Sequence, residues 1–363
     1  MRRRESLLAL LALSARLPAE AQSLGVQPRP LSFPADFGAH PDTRIEWWYL
    51  TGALSPTQSD SSKPSYGFQL TFFRVRTAVS EQHPSRFAAK QLLMAHAALT
   101  DLKAGRLRHD QQVARMGFGL AEAAEQDTDV KLHGWRLLRH AGTGSYRAEL
   151  HSERANFALA LELNTTQALL LQGQQGYSRK GPDLDAASHY YSQPQLAVQG
   201  VLTLDGRSQQ VQGKAWLDHE WSNHLLGKEA VGWDWAGINL HDGSALTVFR
   251  LRRADGSVSW AGGSYRAPAQ AARIFSPSEV RMVPGRIWPS ARTGGRYPVA
   301  WHIITPVGAF ELRSLLDDQE LDARGSTATV YWEGLSELLD ASGSRVGLGY
   351  LEMTGYAEPL HLS

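Results

Sequence analysis

The sequence contains no cysteine, so neither a disulfide nor a lipidated thiol can hold the fold or anchor it. Charge of one sign is lacking too, because 37 Lys and Arg offset 36 Asp and Glu to leave a formal net charge of +1. Such a balance gives no general field for an anionic bilayer, and nucleic acid is excluded as a partner. Long apolar runs are missing. The stretch from Leu7 to Leu13 falls far short of the ~20 residues that cross a bilayer, and no later stretch comes near it. No transmembrane segment is therefore expected in the mature chain. Two catalytic signatures are also absent. Without a Gly-x-Ser-x-Gly elbow, a serine hydrolase on that scaffold is disfavoured. His219-Glu220 has its next histidine at His224, and a five-residue step turns about 140° around a helix, off the face that would share a zinc ion. No metal is expected.

What is present begins with a targeting segment: Arg2, Arg3 and Arg4, the run Leu7 to Leu13, and the small-x-small site Ala19-Glu20-Ala21. Residues 1–21 are expected to be a signal peptide cleaved after Ala21, with Arg3-Arg4 also permitting a twin-arginine route. The mature protein is then soluble, and periplasmic or secreted. A length of 363 residues points to two units, and 42% hydrophobic against 20% charged residues gives them a substantial core.

Strand signals dominate. Short apolar and aromatic runs such as Trp47 to Leu54, Tyr66 to Arg76, Ala155 to Leu163, Leu196 to Leu204, Gln210 to Leu217, Ala245 to Arg252 and Val299 to Thr305 alternate with turn residues. Asp205-Gly206, Asp242-Gly243, Asp255-Gly256 and Ser342-Gly343 are dipeptides that supply positive φ in tight hairpins. Convincing helices are few. Ser85 to Leu99 has room for one, although His96 to Asp101 reads more naturally as a strand entering a turn. Low complexity is confined to the Ser-rich stretch Ser55 to Ser65. Glu46 to Gly52 is followed by Phe68 to Arg76, and Gly232 to Gly237 by Leu246 to Arg252. Each half thus opens with a Trp-rich strand and then a strand ending in Arg-x-Arg. The expected fold is all-β, two antiparallel barrels of unequal size, because closing each sheet removes its exposed edges. The boundary falls between Trp221 and Val231, giving units of 22–225 and 226–363.

Candidate chemistry gathers in three aromatic and acidic clusters, Glu46 to Tyr49, Trp216 to Trp221 and Trp233 to Trp235, which hold six of the 11 Trp residues. In a strand alternate residues share a face, so Trp216, Asp218 and Glu220 point one way and Leu217, His219 and Trp221 the other. Glu46 and Trp48 likewise oppose Trp47 and Tyr49. A carboxyl group held among indoles is desolvated, its pKa rises, and it becomes a candidate general acid. The competing account makes the Trp residues core plugs and pairs each acid with an Arg that closes a barrel end. Asp218-His219-Glu220 stands out because three ionisable residues interrupt a good strand, a local conflict typical of functional sites.

These segments, together with Ser188-His189-Tyr190-Tyr191-Ser192, Tyr331-Trp332-Glu333-Gly334 and Gly349 to Tyr356, resemble the carotenoid 1,2-hydratase and AttH-like family, often described as predicted secreted hydrolases. The resemblance runs in order through nearly the whole mature chain. It implies two lipocalin-like barrels and a pocket for a long hydrophobic molecule such as an isoprenoid, carotenoid or lipid. It further implies that Asp218 is the proton donor, with His219 and Glu220 completing the catalytic group. Glu46, Trp47, Tyr49, Tyr190, Trp216, Trp221 and Trp233 would line the substrate. The reaction implied adds water to a terminal C=C bond and needs no cofactor. The alternative is an exported carrier, or an ABC-transporter accessory protein, that holds such a ligand unchanged.

Overall fold

Alternating side chains and positive-φ turn dipeptides leave the chain one economical solution, a succession of antiparallel hairpins. The structure, a computed structural model, describes residues 25–59, 63–224 and 226–360. Residues 1–21, expected to be a signal peptide, and part of the Ser-rich stretch lie outside the described residues. Two sheets account for nearly all the strands. The first comprises β1 (Ile45–Pro56), β2 (Tyr66–Arg76), β3 (Gln91–Asp101), β4 (Arg106–Arg115), β5 (Ala121–Ala123), β6 (Asp129–Leu132), β7 (Trp135–Arg139), β8 (Tyr146–Ser152), β9 (Phe157–Asn164), β10 (Leu170–Leu171), β11 (Tyr177–Arg179), β12 (Ala187–Leu204) and β13 (Arg207–His224). The second comprises β14 (Gly232–Leu240), β15 (Ala245–Arg252), β16 (Val258–Arg266), β17 (Arg273–Phe275), β18 (Arg281–Pro284), then β21 (Ala300–Thr305), β22 (Gly308–Ser314), β23 (Glu320–Asp322), β24 (Val330–Leu339) and β25 (Arg345–Thr354). The remaining pair, β19 (Ile287–Pro289) and β20 (Arg296–Pro298), forms a small ribbon. Among the described residues the only helices are single 3-10 turns at Ala35–Phe37 and Pro277–Glu279. Both sheets curl into lipocalin-like barrels, the first nearly closed and the second a half-barrel.

The strand signals resolve as read. Ser85 to Leu99 forms no α-helix: β3 starts at Gln91 and is buried from Leu93 to Thr100. Its Leu, Met and Ala residues favour a helix in isolation, but pairing with β2 and β4 on either side overrides that preference. The four turn dipeptides all sit in hairpins. Asp205 and Gly206 take φ of 49° and 77°, the mirror-image turn that matches the twist of β12 and β13. At Asp242, Asp255 and Asp340 a carboxylate oxygen caps the turn by accepting the N–H of Ser244, Ser257 or Ser344.

The two sheets repeat one strand order. The first runs β4-β3-β2-β1-β13-β12-β9-β8-β7, the second β17-β16-β15-β14-β25-β24-β22-β21-β18. The Arg-x-Arg motif has the same role in each. Arg74 of β2 stands opposite Glu46 of β1 and bonds it at 2.7 Å, as Arg250 of β15 bonds Asp234 of β14 at 2.7 Å. Matching these pairs places Glu220 in the position of Glu352, since Trp47 faces the one and Trp235 the other.

Burial shows where the sheets meet. The β8 and β9 strands alternate buried and open residues, the signature of one wet face. By contrast β12 is buried without a break from Ala187 to Leu196, and β13 from Ala215 to Ser222. One face of these strands lines the first barrel while the other packs against β14 of the second. On the other side of the seam β1 meets β25 and β2 meets β24.

Candidate active site

Period-two alternation and the strand register decide which acids meet. Asp218 lies between Tyr49 of β1 and Ser192 of β12; Glu220 lies between Trp47 and Tyr190. With Trp216, these side chains share the face of the first sheet turned to the seam. Facing them are Trp235, Phe249, Leu335 and Tyr350 of the second sheet, which form one apolar cluster with Tyr49 and Trp216; Trp47 and Trp233 pack half-buried against it.

Asp218 is 3% exposed and receives only uncharged donors. Ser192 Oγ and Trp216 Nε1 donate to its Oδ1 at 2.5 and 2.7 Å, and the Tyr190 hydroxyl donates to Oδ2 at 2.8 Å. The second barrel secures these donors: Trp235 Nε1 donates to the Tyr190 hydroxyl at 3.1 Å. Gln172, which donates to both Ser192 and Thr247, aims the Ser192 hydroxyl. Burial pushes the Asp218 carboxyl up to about 7, since three hydrogen bonds fail to offset desolvation and Glu220 adds like charge. The indole N–H of Trp216 can only donate, which reserves Oδ1 as acceptor. Oδ2, whose Tyr190 partner has a hydroxyl able to turn, is the oxygen suited to carry a transferable proton.

Three further carboxyl groups share the seam. Glu220 is paired with Lys180, whose Nζ lies 2.9 Å from Oε1 and over the rings of Tyr190 and Phe249; Ser188 Oγ donates to the same oxygen. Glu333 and Glu352 stand opposite each other on β24 and β25. Desolvation followed by mutual repulsion drives Glu333 well above the ordinary carboxyl range. Glu352 rises to about 7 through desolvation, opposed by a hydrogen bond with Trp233 and reinforced by Asp218 and Glu220. Glu333 Oε1 and the Tyr49 hydroxyl lie near each other without completing a bond, two unsatisfied polar atoms among the seam's aromatic and carboxyl groups.

The structure does not bring all the sequence candidates together. Asp218, Glu220, Trp47, Tyr49, Tyr190, Trp216 and Trp233 occupy the seam face, whereas Glu46, His219 and Trp221 lie across the sheet at the end of the first barrel. His219 Nε2 is 2.9 Å from Glu46 Oε1 and its Nδ1 is 3.0 Å from the Tyr191 hydroxyl, while Trp48 stacks on its ring. Trp221 stacks on His40 at 3.7 Å. Glu46 is held below the usual carboxyl range because hydrogen bonds from His219 and His40, with the nearby Arg74 charge, outweigh its desolvation. It is thus a closing ion pair rather than an acid. His40, Glu46 and His219 are the one set of described residues whose donor atoms converge as metal ligands would, within 4.8 Å. Arg74 and a His40 whose pKa is raised by Asp36 and Glu46, against its own desolvation, already satisfy that carboxylate. The donor set therefore fits an internal hydrogen-bonded cluster better than a cation site. A polar groove of about 450 Å³, lined by residues including Glu122, Lys131, Arg136 and Glu149, opens on the first barrel along β5 to β8, away from the seam strands.

Residues 25–356 match the model of the AttH-like family. The chain belongs to the AttH-like family. A crystal structure of a Nitrosomonas europaea protein described as an AttH shares 45% identity with it, covers 91% of this chain and 98% of that one, and superposes with a TM-score of 0.83. Kievitone hydratase from Nectria haematococca, at 14% identity, covers 93% and 94% of the two chains with a TM-score of 0.67, a likeness of fold. In sequence, the chain is 23% identical over 226 residues to kievitone hydratase of Fusarium solani subsp. phaseoli, 61% of this chain and 62% of that protein. It thus matches less than two thirds of that relative's length. In this AttH-like chain sequence reasoning assigned no site role to Lys180, Ser192, Glu333 or Glu352, although the last three lie in segments that carry the resemblance. The last two carried the signal that marked Asp218, an acid interrupting an apolar strand, but nothing short of the register shows that they meet.

Proposed function

We propose that this chain is a cofactor-independent hydratase of a hydrophobic alkene, with Asp218 as its general acid. The observation that carries the reading is a carboxyl group poised near neutral pH and aimed, by three neutral donors, into an aromatic seam. The names of the kievitone hydratases among its relatives agree with that reaction class.

In the reaction the Asp218 proton passes to the less substituted carbon of a terminal C=C bond. A C–H bond forms, the π bond breaks, and positive charge appears at the more substituted carbon, facing the rings of Trp47, Trp216, Trp233 and Trp235. Water attacks that carbon and loses a proton, which returns to the Asp218 carboxylate. Glu220, fixed by Lys180, orients the water. Trp47 and Trp233, the half-buried members of the seam, mark the side on which a long isoprenoid or carotenoid chain enters. The protein is proposed to work outside the cytoplasm after removal of residues 1–21.

Incubation of the purified protein with lycopene and shorter terminal alkenes in deuterated water tests the reading. The expected product has gained one hydroxyl, and one deuterium on the neighbouring carbon. An alkene that binds tightly and is recovered unchanged, across all alkenes tried, would instead support a carrier or transporter accessory.

A further inference from the structure

The first barrel carries an exposed feature that its core does not require. The segment joining β2 to β3, residues 77–90, and the segment joining β4 to β5, residues 116–120, lie at the rim where β1 begins and β13 ends. Phe87 from the first and Phe118 from the second stack face to face at 5.5 Å with their planes 6° apart. They do so in solvent: Phe87 is 61% exposed and Phe118 43%, beside Leu120 at 47% and Val113 at 44%. Phe118 also takes φ of 61° between Gly117 and Gly119, which take 100° and 72°. A left-handed backbone is sterically costly for an aromatic residue, so local preference does not explain the ring's display.

Cations frame the pair. The guanidinium of Arg115 lies 5.2 Å from the Phe87 ring and 4.4 Å from the Phe118 ring; that of Arg86 lies 5.7 and 5.3 Å from the same two. Arg115 also donates to the Phe87 carbonyl at 2.6 Å, tying the two loops together. Residues 77–90 further contain Lys90, against a single acid, Glu81. In a chain of formal net charge +1 this excess is a local one. A stacked pair of exposed rings does not by itself select a peptide. Bulky apolar side chains that dip below a plane of anionic headgroups, flanked by guanidinium groups at phosphate depth, match an interface instead.

We propose that the Phe87–Phe118 tip, with Arg86, Lys90 and Arg115, docks this protein on an anionic phospholipid surface. The docking stands apart from the hydratase reading, and its failure leaves the Asp218 chemistry untouched. Sedimentation with phosphatidylcholine vesicles, with or without phosphatidylglycerol, tests it on the purified chain. The wild type is expected to partition onto phosphatidylglycerol vesicles and to be released as salt rises. Phe87→Ser with Phe118→Ser should weaken partitioning by about tenfold or more, because most of the inserted apolar surface is gone. Arg86→Gln with Arg115→Gln should remove the preference for phosphatidylglycerol. Thermal melts check folding, and Phe87→Ser alone, at the more exposed ring, serves if the double variant fails to fold. A wild type that sediments with neither vesicle, or a Phe variant that partitions unchanged, overturns the proposal. Capture of a soluble protein through the Phe pair, without vesicle binding, overturns it in favour of a protein partner.

Discussion

Replacing Asp218 by Asn separates a proton donor from a structural acid, because the amide keeps the size and polarity but gives no acidic proton. The carboxyl rises from 3.8 to about 7, which corresponds to roughly 4 kcal/mol at 1.36 kcal/mol per pH unit. With the folded pKa above the unfolded one, the stabilising contribution is fully present below about 4. It is lost as pH rises towards 7, where the folded protein still holds a proton that the unfolded chain has released. Asn has no such titration. It retains an acceptor for Ser192 and Trp216 and loses one to Tyr190, a cost of about 1 to 3 kcal/mol. The variant should therefore be somewhat less stable than the wild type near pH 4 and gain on it steadily up to pH 8, by up to about 4 kcal/mol. Comparing the two proteins cancels the opposite contributions of His96, His109 and His189, whose burial lowers their pKa values. Turnover should fall about 100- to 10,000-fold with ligand affinity nearly unchanged. Urea unfolding across that pH range, with alkene hydration followed by mass spectrometry, reads both. A stability difference independent of pH would refute the desolvated acid, and undiminished turnover would refute its catalytic role.

Glu46→Gln should behave in the opposite way, destabilising by about 3 to 5 kcal/mol by leaving the Arg74 guanidinium buried and uncompensated, which a thermal melt would show. Tyr331→Phe removes a hydroxyl that joins the barrels, bonded to His96 Nδ1 at 2.7 Å and to Gln69 at 3.2 Å. Chemical denaturation should register a loss of about 1 to 3 kcal/mol. N-terminal sequencing of protein recovered from its native host should begin near Gln22; an intact Met1 on a cytosolic protein would contradict export.

Much of the fold was legible because hairpin turns and strand alternation are local codes. Asp205-Gly206 needs only its two residues to specify a turn, and Trp216, Asp218 and Glu220 need only their spacing to share a face. The same spacing already set His219 on the face opposite Asp218, whereas Glu46, on another strand, is placed there only by the pairing of β1 with β13. Clustering of ionisable and aromatic residues, and then the resemblance, put both beside Asp218, and neither signal carries the side of the sheet. What escaped was set by pairing across long stretches of chain. Ser85 to Leu99 leaves room for a helix until β2 and β4 flank its second half, and Lys180 looks like a loop lysine until it meets Glu220. Glu352 approaches Asp218 and Glu220, and Glu333 approaches Tyr49, only when the two sheets dock.

That docking gives the carboxyl chemistry an order in time. Within the first barrel alone Asp218, Tyr190 and Trp216 stand on an outer wall, where water would solvate the carboxyl and return it towards the acidity of a free aspartate. Trp235, Phe249 and Tyr350 of the second barrel exclude that water. The acid strength of Asp218 is therefore not encoded in its own strand. It comes into being only where the half-barrel packs over it, and a chain whose two barrels had not docked would hold every residue of the site and none of its proton-donating power at neutral pH.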